Sequence, residues 1–292
     1  MRLGIVHETH YSYEVPVVLS QQMLHLTPRA IDWQTLESHA ITIDPVPGEL
    51  VARADYYGNP VSHLLLAAPH SALSVRAEST VATLRRPAGT SGEPWEALRD
   101  RLRAFDGGPL LDPARFLYES PHVECFAELA SYAGPSFAGG RGVLDAAFDL
   151  ARRIHADFEF DPAATSLATP LREVLRRRRG VCQDFAHLMT GCLRTLGLAA
   201  RYVSGYILTT PPPGRPRLIG ADASHAWVSV FCPRNGWVDM DPTNDCLVDD
   251  EHVTLAWGRD FSDVTPMRGV ILGGGEQVLE VRVTVSPLEP RA

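Results

Sequence analysis

The hydrophobic period of this chain changes twice, and that change limits the fold more than any other feature. Up to about residue 86 the apolar residues alternate in short runs ended by turn residues. Ala40-Ile41-Thr42-Ile43 stops at Asp44-Pro45, Gly58-Asn59-Pro60 parts Ala54-Asp55-Tyr56-Tyr57 from Val61–Leu66, and Ser74–Val81 alternates again. Alternation puts successive side chains on opposite faces of a strand, so this stretch predicts a small antiparallel sheet. Val15-Pro16 is expected to break the first strand, since proline cannot donate to a ladder, and Leu24-His25-Leu26-Thr27-Pro28 ends another run. Arg86–Gly92 has the composition of a linker.

From Trp95 the period becomes helical. Trp95–Phe105, Val123–Tyr132 and Val143–Phe158 fit, and in the last of these Leu144, Ala147, Phe148, Ala151 and Ile154 share a face. A further helix is predicted over Cys182–Leu196, with Phe185, Leu188, Met189, Cys192, Leu193 and Leu196 on one stripe and Gly197 at its end. Alternation then returns at Ala200–Leu208, His225–Phe231, Trp237–Asp241 and Gln277–Val285. Helices followed by strands make an α+β unit. The expected division is a β domain over residues 1–88 and a second domain over 89–292.

Composition excludes several classes of function. A net charge of −8 argues against nucleic-acid binding through bulk electrostatics. The chain has no apolar run long enough for a membrane span and its first residues lack a signal-peptide core, so a cytoplasmic location is expected. The cysteines are Cys125, Cys182, Cys192, Cys232 and Cys246. Their odd number, irregular spacing and lack of a CxxC pair argue against a disulfide framework and a zinc site, and no metal or cofactor is expected.

One cysteine differs from the rest. Cys182 follows Arg179-Gly180-Val181 and opens a predicted helix, where free N–H groups and the helix dipole favour an anion. Such sites lower a thiol pKa from about 8.5 to roughly 3.5–7.5, and the thiolate is the nucleophile. The other four cysteines read as core residues. His225 heads an alternating strand, and Asp241 ends the next one before Pro242. A hairpin centred on Pro233 would set His225 directly opposite Asp241 and put the rival carboxylate, Asp239, opposite Trp227. Nucleophile, base and orienter in that order are what thiol acyl transfer requires. The Cys182 backbone N–H and the Gln183 side chain are candidate oxyanion donors. Phe160, Ser204, Gly205, Ser224 and Trp227, with the Pro-rich loop before His225, are candidate cleft residues. His187, the run Arg176–Arg179, and the acidic group Asp245, Asp249, Asp250 and Glu251 read as structural or solvated.

At these residues the chain resembles the bacterial transglutaminase-like family. The likeness rests on Arg179-Gly180-Val181-Cys182-Gln183-Asp184-Phe185, Ser224-His225-Ala226-Trp227-Val228 and Gly236-Trp237-Val238-Asp239-Met240-Asp241-Pro242-Thr243, and on His10-Tyr11-Ser12-Tyr13 and Leu24–Arg29 nearer the start. The resemblance implies a papain-like α+β core with its cysteine at a helix N-terminus, preceded by a β domain. It implies Cys182, His225 and Asp241 as a triad that forms a thioester with an amide of a peptide or protein, resolved by water or by an amine. Many relatives have a tyrosine where this chain reads Phe160, which has no hydroxyl to offer an oxyanion. A catalytically silent binding module on the same fold is the alternative expectation.

Overall fold

The computed structural model describes residues 1–86, 89, 92–104, 108–209 and 224–289. Five strands come first: β1 (Arg2–Leu24), β2 (Gln34–Asp44), β3 (Glu49–Ala54), β4 (Pro60–Leu66) and β5 (His70–Thr83). Helices α1 (Trp95–Arg103), α2 (Leu111–Ala114), α3 (Ala127–Ala133) and α4 (Val143–Asp157) follow. Next come β6 (Glu159–Phe160), α5 (Leu171–Arg177), β7 (Arg179–Gly180) and α6 (Cys182–Thr195). The remainder is β8 (Ala200–Ile207), β9 (Ser224–Cys232), β10 (Gly236–Asp241), β11 (Cys246–Leu247), β12 (His252–Gly258), α7 (Phe261–Val264), β13 (Met267–Gly273) and β14 (Gln277–Pro287).

The second sheet runs β11-β10-β9-β8-β12, and its pairings are antiparallel. Helix α6 lies against β8 and β9 and is itself packed by α3, α4 and α5. The stripe expected from sequence is buried: Phe185, Leu188, Met189, Cys192 and Leu193 join a core with Ala200, Tyr202, Val228 and Val230. Buried Arg194 ties the end of α6 to its surroundings through the carbonyls of Phe116, Tyr118, Ala200 and Arg259, at 2.7–3.1 Å. Of these acceptors the Phe116 carbonyl also takes the Ala200 N–H, at 3.2 Å.

The first sheet corrects two expectations. β1 runs through Pro16 without a break. Its pairing with β5 shifts between Ser12 and Val17, and there β1 also changes partner from β14 to β13, so proline's missing donor falls at a discontinuity. The second correction concerns the domain division. β13 and β14 do not extend the second sheet; both pair with β1 in the first. The apolar core is shared as well, since Leu3, Ile5, Val81, Val283 and Val285 of the first sheet belong to the same cluster as α6. No described helix is long and apolar enough to cross a membrane.

Candidate active site

Cys182 is the first residue of α6. Phe185 is the residue whose N–H closes the first helical bond, to the Val181 carbonyl at 3.1 Å, so the N–H groups of the opening turn face outward. Asp184 accepts the Val181 N–H at 2.8 Å and the Thr165 hydroxyl at 2.6 Å, fixing the approach to the cysteine. Gly180 is needed for this, because a Cβ there would run into the Asp184 carboxylate. Burial pushes the Asp184 carboxyl up, against the effect of both bonds.

His225, on β9, joins the sulfur to a carboxylate. Its Nε2 lies 2.6 Å from Asp241 Oδ2, and the Cys182 side chain is close enough to act on the ring. Burial opposes a charge on this ring, but bonds to Asp241 and Cys182 outweigh it and raise its pKa from 6.5 to about 9. Asp241 is fully buried (0% exposed). Burial acts to raise its pKa, and donors from His225, His252 and Asn244 drive it far below the usual carboxylate range.

The pair meets in a different register from the one expected. Gly236 faces Cys232 and Met240 faces Val228, so the hairpin turns one position later than Pro233 and every cross-strand partner moves by two. Asp239 therefore lies opposite Ser229, not Trp227. A shift of two keeps each side chain on its face, and Asp241 reaches His225 diagonally. Asp239 is instead 3.4 Å from Arg86.

Two groups beside the triad escaped the sequence. Asn244 donates to Asp241 Oδ2 at 2.6 Å, from the turn after Pro242. His252, at the head of β12, places Nε2 at 3.3 Å from the same oxygen and Nδ1 at 3.2 Å from Asp249. Asp249, read as solvated, is thus tied to the site. The only available signal was a histidine after an acidic turn. His225, Asp241 and His252 bring donor atoms within 4.8 Å of one another, close enough to share an ion. Asp241 Oδ2 already accepts from three nitrogen donors, so the cluster is satisfied as a hydrogen-bonded network.

The candidate cleft residues divide. Phe160 is 54% exposed and pairs with Gly180 across β6 and β7. Gln183 lines a cavity of about 320 Å³ beside the first turn of α6, together with His122, Thr169, Asp184 and His187. Ser224 is half-buried at the start of β9. Trp227 and Ser204 are buried, contrary to a role as cleft wall. The Trp227 indole occupies the space a side chain at Gly205 would need, forming a floor rather than a surface. The loop before His225 lies outside the described residues. His187 is buried and accepts the Phe261 N–H at 3.1 Å, a structural role. Arg177 pairs with Glu173 and Arg179 with Glu159, so neither is turned to the cysteine.

Comparison with known proteins shows the family and the fold. Residues 3–82 match the bacterial transglutaminase-like N-terminal region, and residues 130–242 match the transglutaminase-like superfamily. A Mycobacterium tuberculosis protein described as uncharacterized is 41% identical over 298 residues, spanning 99% of this chain and 93% of its own. A protein-glutamine gamma-glutamyltransferase of Pseudomonas aeruginosa is 39% identical over 67 residues, 23% of this chain and 10% of that enzyme. The crystal structure of a presumptive cysteine protease from Cytophaga hutchinsonii shares the fold, with a TM-score of 0.76 at 20% identity over 100% of this chain and 92% of that one.

Proposed function

The chain belongs to the transglutaminase-like superfamily, and from that premise we propose that it is a thiol enzyme that cleaves a peptide or isopeptide amide through a Cys182 thioester. The observation that carries this reading is the double engagement of His225, on Asp241 at 2.6 Å and on the Cys182 sulfur. A ring so placed takes the thiol proton and keeps it as imidazolium, leaving a thiolate at the helix terminus.

The sulfur attacks the amide carbonyl carbon, and the carbonyl oxygen takes up the negative charge. The Cys182 N–H and the Gln183 side chain are the proposed donors to that oxygen. His225 returns its proton to the leaving amine as the C–N bond breaks, and a thioester remains. Water then attacks with His225 as base, releasing a carboxylate and the free thiol. All five cysteines are free, so the Cys182 sulfur is not held in a disulfide. A second reading, resolution by an amine, draws support from the partial match to the P. aeruginosa glutamyltransferase.

The test is to incubate the protein with an amide library and identify acyl groups on Cys182 by mass spectrometry. An adduct on the native chain, lost in Cys182→Ala and His225→Ala, is expected. Absence of any Cys182 adduct, with alkylation of Cys182 indifferent to His225→Ala, refutes the enzyme and leaves a silent binding module. Repeating the reaction with an added primary amine separates the routes, since hydrolysis releases only carboxylate.

A further inference from the structure

The carboxylate that holds His225 is shared by a second imidazole. His252 reaches Asp241 from β12, the strand at the opposite edge of the sheet from β11, and it has Asp249 at its back. It is 4% exposed, and its ring centre is 6.2 Å from that of His225. We propose that His252 is a positioning residue: as a buried cation between Asp241 and Asp249, it holds Asp241 in place and limits how strongly that carboxylate retains the proton on His225.

The charge follows from the partners. Carboxylates only accept, so a ring whose two nitrogens each face a carboxylate oxygen bonds both only as imidazolium, donating from each. The Asp249 N–H also approaches Nδ1, at 3.4 Å, the one contact that a neutral ring would favour. Groups facing His252 from the surrounding elements are Asp241 on β10, Cys246 on β11, Asp249 in the turn between, and His225 on β9. The Trp227 ring, 5.4 Å away, adds no charge, and Arg85 acts on Asp249 from the segment after β5. Burial disfavours the cation, but bonds to Asp241, Asp249 and Cys246 prevail and push the His252 pKa to about 11.

The consequence for His225 is a counterweight. Asp241 alone would hold the His225 proton too tightly for a group that must give it to a leaving amine and then act as base. A like charge about 6 Å away, at an effective dielectric of about 20, lowers the His225 midpoint by roughly one to two pH units. The inference rests on the triad reading, and its test fails separately from that reading.

The experiment follows the ring resonances of isotopically labelled histidines in the full chain by NMR, from pH 5 to 11. In the native protein His252 is expected to stay doubly protonated at pH 7. In His252→Gln, which keeps a donor to Asp241 but removes the charge, the His225 midpoint is expected to rise by about one unit or more. In His252→Lys, which restores a cation, it is expected to return toward the native value. A neutral His252 in the native protein at pH 7 overturns the inference, and that measurement needs no variant to fold. An unchanged or lowered His225 midpoint in His252→Gln overturns it too, as does a lysine variant that titrates like the glutamine one. If His225→Ala leaves Cys182 alkylation untouched while these histidine shifts appear as expected, the nucleophile assignment is what fails.

Discussion

Replacing Asp241 by asparagine keeps the shape of the side chain and removes the charge on which His225 depends. The His225 ring is raised from 6.5 to about 9 despite its burial. At about 1.4 kcal/mol per unit, that difference is a net preference on the order of 3 kcal/mol for the protonated ring. It is the surplus left after the desolvation cost, which the amide would not reduce. Without the carboxylate, burial dominates and the ring is neutral at pH 7. The Cys182 sulfur then loses the cation beside it, and alkylation of Cys182 should slow on the order of 100-fold. The assay is iodoacetamide labelling read at the Cys182 peptide, so that Cys125 and Cys246 do not contribute. The native chain should label Cys182 rapidly at pH 6.5, and Asp241→Asn far more slowly under the same conditions. Thr243 and Asn244 can still donate their N–H groups to the amide oxygen, as they now do to Asp241 Oδ1 at 2.8 and 3.2 Å, so the turn should persist. A folded Asp241→Asn protein that labels at the native rate at pH 6.5 would refute the account of the ion pair.

Two further outcomes concern stability. Arg194→Met should cost about 3–5 kcal/mol in urea unfolding, because the carbonyls of Tyr118, Ala200 and Arg259 lose the guanidinium together while Phe116 keeps the Ala200 N–H; a loss below about 1 kcal/mol would show that they are satisfied elsewhere. Acid should destabilise the fold before its carboxylates titrate. Burial lowers His7 to about 4 and His187 to about 3, so the unfolded chain binds more protons below pH 6.5 and stability is lost as pH falls from there through 4. His7 alone accounts for up to about 3 kcal/mol of that loss, and in His7→Gln the decline of unfolding free energy between pH 6.5 and 4 should be visibly shallower.

The grouping of Cys182, His225 and Asp241 was legible because each sits at the end of an element. A cysteine opening an amphipathic helix, a histidine heading a strand and an aspartate closing the next can be found from period and breakers alone. The hairpin register differs by two from the expected one, and the pairing survives because a period of two returns side chains to the same face. His252 and Asn244 were hidden for a different reason. β12 is buried along nearly its whole length and reads as Val253-Thr254-Leu255-Ala256-Trp257, without the alternation that marks a half-exposed strand. Its neighbour in the sheet is β8, about fifty residues earlier, so nothing local links His252 to Asp241. The same limit applies to β13 and β14. Their strand character is local, but which sheet they join depends on pairing with residues at the start of the chain, and composition carries no record of that. Pro16 departs from expectation for the opposite reason, since a local rule is overridden by a discontinuity that only the assembled sheet contains.

That return of the last strands to β1 has a consequence for how the molecule forms. One flank of the opening strand stays bare until residues 267–287 have been made and folded back, after every helix and the whole second sheet. Pairings of such long sequence separation form late and slowly, and an unmatched strand flank invites the wrong neighbour while it waits. Helix α6, which Cys182 opens, and strand β9, which carries His225, lie inside the loop that this closure completes. Assembly of the reactive centre and sealing of the outer sheet therefore belong to one cooperative event, and a chain stopped short of residue 267 should accumulate as an aggregating species, not as a smaller working enzyme.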